Sequence, residues 1–384
     1  MEQLRTLGPA VLAVLVRRGA EFAAAEDAVQ EALLEAVQRW DDDPPRDQQG
    51  WLTTVAWRKY LDEYRSADAR RHREERLARQ PVPGPTEQGD DTLLLLSHCC
   101  HPALTPGSAI ALTLRAVAGL GTGQIARAFL VPEATMAQRI SRAKRTIATA
   151  RADGTGFDRP GDVRAVCRVL YLMFNEGFTG EVDTAVEAIR LARQLAAATD
   201  DPETAGLLAL MLLHHARRPA RFTPGGRLVP LAEQDRTRWD TDLIAEGVTI
   251  LQRALARDRL GEYQAQAAIA ALHDDAPVAA ETDWPQIVEW YDELLQLGDN
   301  PVAALNRAVA VGEADGALAG LAALRDLDPE LPRYAAAEAY LRERAGEPAE
   351  AARLYGIAAA RADNEPERAH LTRAAARLHT AREA

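Results

Sequence analysis

Six residues with the chemistry of nucleic-acid recognition, Thr135, Gln138, Arg139, Arg142, Lys144 and Arg145, fall within one short stretch of the chain. Glutamine and arginine pair with the edges of adenine and guanine, and all of these residue types bond phosphate oxygens. Met136, Ile140, Ala143 and Ile147 are interleaved with them every three to four residues, which predicts one helix with a buried stripe and a polar outer face. Just upstream, Ile125, Ala126 and Phe129 form the inward face of a shorter helix, whose expected N-cap is Thr122. Leu130 and Val131 break that period. Pro132 then presets a new helix start, and Glu133 suits the positive end of its dipole. A helix, a tight turn and a second helix is the arrangement that lays the second helix in the major groove of DNA. A helix pair with a merely solvated basic face has the same period, and spacing alone does not choose between the two.

Other groups invite a chemical reading. Asp27, Gln30, Glu31 and Leu34 cluster at i, i+3, i+4 and i+7 of a predicted helix, off the stripe expected from Phe22, Val29, Leu33, Val37 and Trp40. They form an acidic contact face or a solvated one. Trp57, Tyr60 and Tyr64 stand at i, i+3 and i+7, either as core or as rings on which unpaired bases stack, each such contact being worth about 1–3 kcal/mol. His98-Cys99-Cys100-His101 lacks the spacing of paired zinc ligands and has no second pair, so it predicts a helix end with small buried thiols. Asn175, Glu176, His214, His215, Asp235 and Asp240 are polar groups in apolar settings, where a cleft could do acid–base work. The sequence has no Gly-rich phosphate loop, nucleophile elbow or His-x-x-x-His pair, and adjacent histidines on a helix point about 100° apart. Caps and interdomain hydrogen bonds are the expectation for these groups, with no catalytic residue, no metal and no cofactor.

The elements that position these groups are helical throughout. Alanine is abundant and aromatics are scarce, and 384 residues at 47% apolar suffice for two to four modest domains. Residues 1–79 predict one helical domain and 80–91, with three prolines and two glycines, a linker. Residues 92–152 hold the helix-turn-helix and 153–161 a second linker. A helical extension follows over 162–280 and helical repeats over 281–384. In the last part Gly312, Ala317 and Leu321 recur 34 residues on as Gly346, Ala351 and Tyr355, the tetratricopeptide period. Such arrays bind peptides or protein surfaces, or pack on their own chain.

The net charge of −12 is unevenly placed: residues 1–160 hold 21 Lys+Arg against 21 Asp+Glu, so the remainder holds the whole excess. An acidic second half weakens non-specific attraction to phosphate. Three cysteines make no disulfide framework, no signal segment opens the chain, and the longest apolar run, Leu207 to Leu213, is too short to span a bilayer. A cytoplasmic protein without membrane contact is expected.

The run PEATMAQRISRAKR resembles the second half of the helix-turn-helix in region four of extracytoplasmic-function sigma factors. GWLTTVAWRKYLDEYR resembles their region-two helix for the −10 element, with Trp51-Leu52, Val55-Ala56, Leu61-Asp62 and Arg65 in the shared order and Arg58 where many members have Asn. AEDAVQEALLEA resembles their polymerase-binding helix. The strings Cys99-Cys100-His101-Pro102-Ala103-Leu104, LYLMFNEG and Gln234-Asp235-Arg236-x-x-Trp239-Asp240 resemble members with a long helical extension, so the resemblance covers nearly the whole chain. It implies an all-α protein with two sigma domains and an extension ending in tetratricopeptide-like repeats. It implies −35 contacts from Glu133, Thr135, Gln138, Arg139, Arg142, Lys144 and Arg145, and −10 contacts from Trp57, Arg58, Asp62 and Arg65. Core RNA polymerase would be bound through Asp27, Gln30, Glu31 and Leu34, with control in cis by the extension and a protein or peptide regulator at its repeats. The alternative is a helix-turn-helix regulator whose helical sensor module never touches polymerase.

Overall fold

A computed structural model describes residues 2–40, 44–68, 91–129, 131–152, 163–176, 184–362 and 364–383. Among them every regular element is a helix, apart from one isolated bridge between Phe222 and Leu228. The chain forms two compact units.

The first unit, Met1–Thr199, contains α1 (Glu2–Arg17), α2 (Phe22–Arg39), α3 (Gln48–Asp68), α4 (Asp91–Cys99), α5 (Pro106–Ala116), α6 (Thr122–Ala128), α7 (Glu133–Ala152), α8 (Val163–Glu176) and α9 (Thr184–Ala198). In α1, Val11, Leu12, Leu15 and Val16 are buried, and each such side chain contributes roughly 1.5–3 kcal/mol by leaving water. Gly19, at a φ of 90°, ends it in a Schellman turn, with Gly19 N–H on the Val16 carbonyl and Ala20 N–H on that of Leu15. The Glu21 carboxylate caps α2, accepting from the amides of Ala23 and Ala24 at 3.0 and 2.9 Å. Here the packing departs from the apolar period. The buried face of α2 is mostly alanine, Ala25, Ala28, Ala32 and Ala36, flanked by Phe22 and Val29, whereas Val37 is 43% exposed. Alanines let α1 and α3 approach the helix closely, which turns the larger Leu34 and Val37 outward.

Thr105 caps α5, with Pro106 in its first turn. The cap of α6 is Gly121, one residue before the expected Thr122, and its N–H donates to the Gln124 side chain at 2.9 Å. Met136, Ile140, Ala143 and Ile147 of α7 are buried against α5 and α6, as their spacing predicts. The helices α8 and α9 pack on each other and on the α4–α5 pair, inside this first unit. Leu130 of the turn, the linker segments 80–90 and 153–161, and the arginines from Arg70 to Arg79 lie outside the described residues. Asp91, expected in the linker, opens α4.

The second unit, Asp200–Ala384, contains α10 (Pro202–Ala216), α11 (Arg218–Arg221), α12 (Thr241–Leu255), α13 (Glu262–Asp275), α14 (Trp284–Leu297), α15 (Pro301–Ala314), α16 (Ala317–Leu324), α17 (Tyr334–Arg344), α18 (Pro348–Arg361) and α19 (Glu365–Glu383). Leu207 to Leu213 are buried on every side of α10, enclosed by α12 and α13. Gly206 permits the α13 approach, since a Cβ there would lie 2.8 Å from the backbone nitrogen of Gln264. From α13 onward each helix packs on the next. The 34-residue match pairs two glycines with different tasks. Gly312 sits inside α15, where a Cβ would run into the Leu341 side chain of α17 and where a Cβ on Gly320 of α16 would lie 2.8 Å from the Gly312 Cα, whereas Gly346 makes a turn at a φ of 77°. The turn glycine of the earlier pair is Gly316, at a φ of 98°.

Asp235 and Asp240 are caps, as expected: Asp235 accepts from Thr237 N–H at 3.1 Å, and Asp240 from the amides of Asp242 and Leu243. Cys99 and Cys100 are buried thiols, and burial pushes the Cys100 pKa up to about 12. Among the described residues no helix is long and apolar enough to cross a membrane.

Candidate promoter- and polymerase-binding surfaces

The buried stripe of α7 fixes which way its polar residues face. Thr135, Gln138 and Arg142 are exposed and, with Arg139, line a groove of about 420 Å³ whose other wall includes Thr105 and Ser108 at the start of α5. The Arg139 guanidinium lies 5.7 Å from the centre of the Phe129 ring and against Gly107, so its stem is held while its N–H donors border the groove. Arg145 is exposed on the same helix. This face offers hydroxyl, amide and guanidinium donors together, the set that reads base edges and grips phosphates.

Lys144 and Glu133 lie on the other flank of the stripe. The Glu133 carboxylate rests beside Gly123. Lys144 is turned toward α2, where it pairs with Glu26 and stands 3.7 Å from Asp27. Glu26 itself has a side chain only 3% exposed, and its other oxygen accepts from Arg115 of α5 at 2.8 Å. Arg115 also donates to the Leu120 carbonyl at 3.2 Å. One buried carboxylate thus ties α2 to both α5 and α7. Sequence reasoning missed this triad, although a signal existed: Glu26 stands on the Phe22–Val29–Leu33 stripe, at a position where an apolar residue is expected. Arg115 is likewise the only charged residue of α5.

The opposite face of α2 carries the acidic cluster. Asp27 and Glu31 are exposed, Gln30 is half-buried, and Leu34 is 64% exposed beside Val37. Against a desolvation that would lower it, the carboxylates of Glu35 and Glu31 raise the pKa of Lys59, which pairs with each at 3.3 Å. The two lysines of the chain, Lys59 and Lys144, are therefore both held by carboxylates of α2. An apolar pair rimmed by acids and an amide suits a protein partner.

On α3 the structure corrects one expectation. Trp57 is 3% exposed, its ring 5.6 Å from that of Tyr60 and under the Arg18 guanidinium, so it is core and offers no face to a base. Tyr60 is equally buried, and its hydroxyl accepts from Glu21 N–H at 3.2 Å. The physical reason is helical phase: Leu52, Ala56, Trp57 and Tyr60 share the buried side, while Trp51 is only half-buried, edge-on to Trp40 at 5.3 Å. Arg58 and Asp62 point outward, and the side chains of Tyr64 and Arg65 lie outside the described residues.

A helix-turn-helix with a donor-rich outer face, preceded by a second helical module with an acidic outer face, is the arrangement of a DNA-binding transcription factor. The comparisons with known proteins agree. Sigma-70 region 2 matches residues 4–70, Sigma-70, region 4 matches residues 96–147, and a family of unknown function, DUF6596, matches residues 162–255. An uncharacterized protein of Rhizobium meliloti (strain 1021) is 39% identical over 355 residues, which cover 85% of this chain and 82% of that one. No solved structure matches the chain. The chain belongs to the sigma-70 family, as a sigma factor of the extracytoplasmic-function type with a C-terminal helical extension. Its partners are accordingly core RNA polymerase and promoter DNA.

Proposed function

We propose that α7 reads the −35 element with Thr135, Gln138, Arg139 and Arg142 against the bases and backbone, and with Glu133, Lys144 and Arg145 on its margins. The observation that carries this reading is the groove along α7, in which a hydroxyl, an amide and two guanidinium groups converge. The −10 element is engaged by Arg58, Asp62 and Arg65 of α3, with Trp57 holding that helix in place from the core. Core polymerase docks on Asp27, Gln30, Glu31 and Leu34 of α2. Run-off transcription reconstituted with core enzyme tests all three surfaces. Leu34→Asp removes polymerase binding while leaving duplex binding by α7 intact; a variant that binds core enzyme as tightly as the parent overturns the assignment of α2.

The acidic extension regulates this activity in cis, and its repeats take a protein or peptide regulator. Because α8 and α9 pack with the helices that precede them, the informative truncation lies after Thr199 rather than at the 153–161 linker. Greater promoter-dependent transcription by residues 1–199 marks the second unit as a gate, and a loss marks it as a required docking element. Unchanged transcription excludes control by that unit.

A further inference from the structure

The helices assigned to the two promoter elements lie in one compact unit, whose size can be set against the promoter. The −10 and −35 elements are about 25 base pairs apart, which at about 3.4 Å per base pair puts their centres about 85 Å from each other along straight duplex. Met1–Thr199 forms a single body, and a compact chain of that length has a radius of gyration of about 16 Å, so it is about 40 Å across. Inside it α3 packs on α2 and α2 packs on α7, so a single helix, about 10–12 Å thick, stands between α3 and α7. A body of this size cannot touch both elements of a straight duplex at once. Reading both therefore requires α1–α3 to part from α4–α7.

The two groups of helices meet where α1 packs on α4 and where α2 packs on α7. The second contact has an ionic centre. Glu26 of α2, its side chain 3% exposed, pairs with Lys144 of α7 and accepts from Arg115 of α5 at 2.8 Å. Asp27 stands 3.7 Å from the same ammonium group. All the partners of Glu26 thus lie across the contact, in the other group of helices. A carboxylate buried in this way gains little net stability from its cations, because leaving water costs about as much as the pairing returns. What it fixes is one arrangement of the helices. When the helices part, all three charges regain water, so an ionic centre separates where an apolar contact of the same area resists.

We propose that Glu26 is an internal latch: by holding Lys144 and Arg115 it keeps the free protein in an arrangement too short to span a promoter, and its release precedes the reading of both elements. The need for release rests on the assignment of α3 and α7 to the −10 and −35 elements. The latch itself is a property of the free chain and is measured without DNA.

Distance measurement between fluorophores on the full chain, at Gln38→Cys of α2 and Thr149→Cys of α7, tests the proposal. Both positions are exposed, and the three native cysteines are buried. The free protein should show one distance below about 40 Å, and the complex with core polymerase and promoter DNA one above about 50 Å. Glu26→Gln, which keeps the shape and removes the charge, should raise the ratio of open to closed free protein about tenfold, the scale of a broken ion pair. Should that variant fail to fold, Arg115→Gln takes its place with the same expectation. Arg190→Gln, which breaks an exposed pair with Glu187 on α9, should leave the distances unchanged. The latch is overturned by a long distance in the free parent, or by Glu26→Gln and Arg115→Gln that fold and keep the parent's distances. A short distance retained in the promoter complex overturns the need for release. Failure of the underlying assignment reads differently: Arg142→Ala then leaves −35 duplex binding unchanged, whatever the distances in the free protein.

Discussion

The two helices assigned to promoter reading, α3 and α7, expose their chemistry to different degrees. In α7 four apolar side chains at helical spacing enter the core and the opposite face is left to Thr135, Gln138 and Arg142. In α3 apolar and aromatic residues occupy several faces, and the core takes Trp57 and Tyr60, leaving Arg58 and Asp62 outside. A helix with one apolar stripe announces its outer face. A helix with aromatic residues on every side is oriented only by what packs around it, here Arg18 over Trp57 and Glu21 N–H on Tyr60.

The comparison is sharpened most by Trp57→Ala, which should cost about 3–5 kcal/mol of stability in chemical denaturation, as a core cavity does. Trp57→Phe should keep most of that stability and normal promoter opening, measured by permanganate footprinting of the −10 strand; lost opening at unchanged stability would return Trp57 to the DNA. Glu26→Ala strands Arg115 and Lys144 beside each other and should lower the stability of the first unit by about 3 kcal/mol, the scale of a broken buried ion pair. A change within measurement error would mean that α2 and α7 are not fastened there. Arg142→Ala should weaken −35 duplex binding by about 1–3 kcal/mol without altering the melting curve. Arg58→Ala is the smallest in stability, within about 0.5 kcal/mol, because the side chain is exposed, yet it should shift the preferred −10 bases in a promoter library.

The all-α architecture, the stripe of α7, the acidic face of α2 and the caps at Asp235 and Asp240 were legible because each depends on local spacing or on a short polar side chain beside its own helix start. Helical phase was harder where small and large apolar residues compete. The alanines of α2 entered the core ahead of Val37 because they permit closer helix contact, a preference that hydropathy does not encode. The Glu26 triad was hidden for another reason: Arg115 and Lys144 are 89 and 118 residues away in sequence, and a buried charge becomes readable only once its partners are seen.

Lys144 holds the carboxylate of Glu26 in this arrangement, and a single ammonium group cannot at the same time grip a DNA phosphate from the same side. Contact between Lys144 and the duplex is therefore an exchange of one anion for another, and the protein's own carboxylate is the competitor that DNA must displace. Such an exchange depends on salt less steeply than a contact made by a solvated lysine, because fewer free ions change places. The slope of duplex affinity against salt, compared between Lys144 and Arg142 variants, would thus distinguish a cation lent to DNA from one standing open to it.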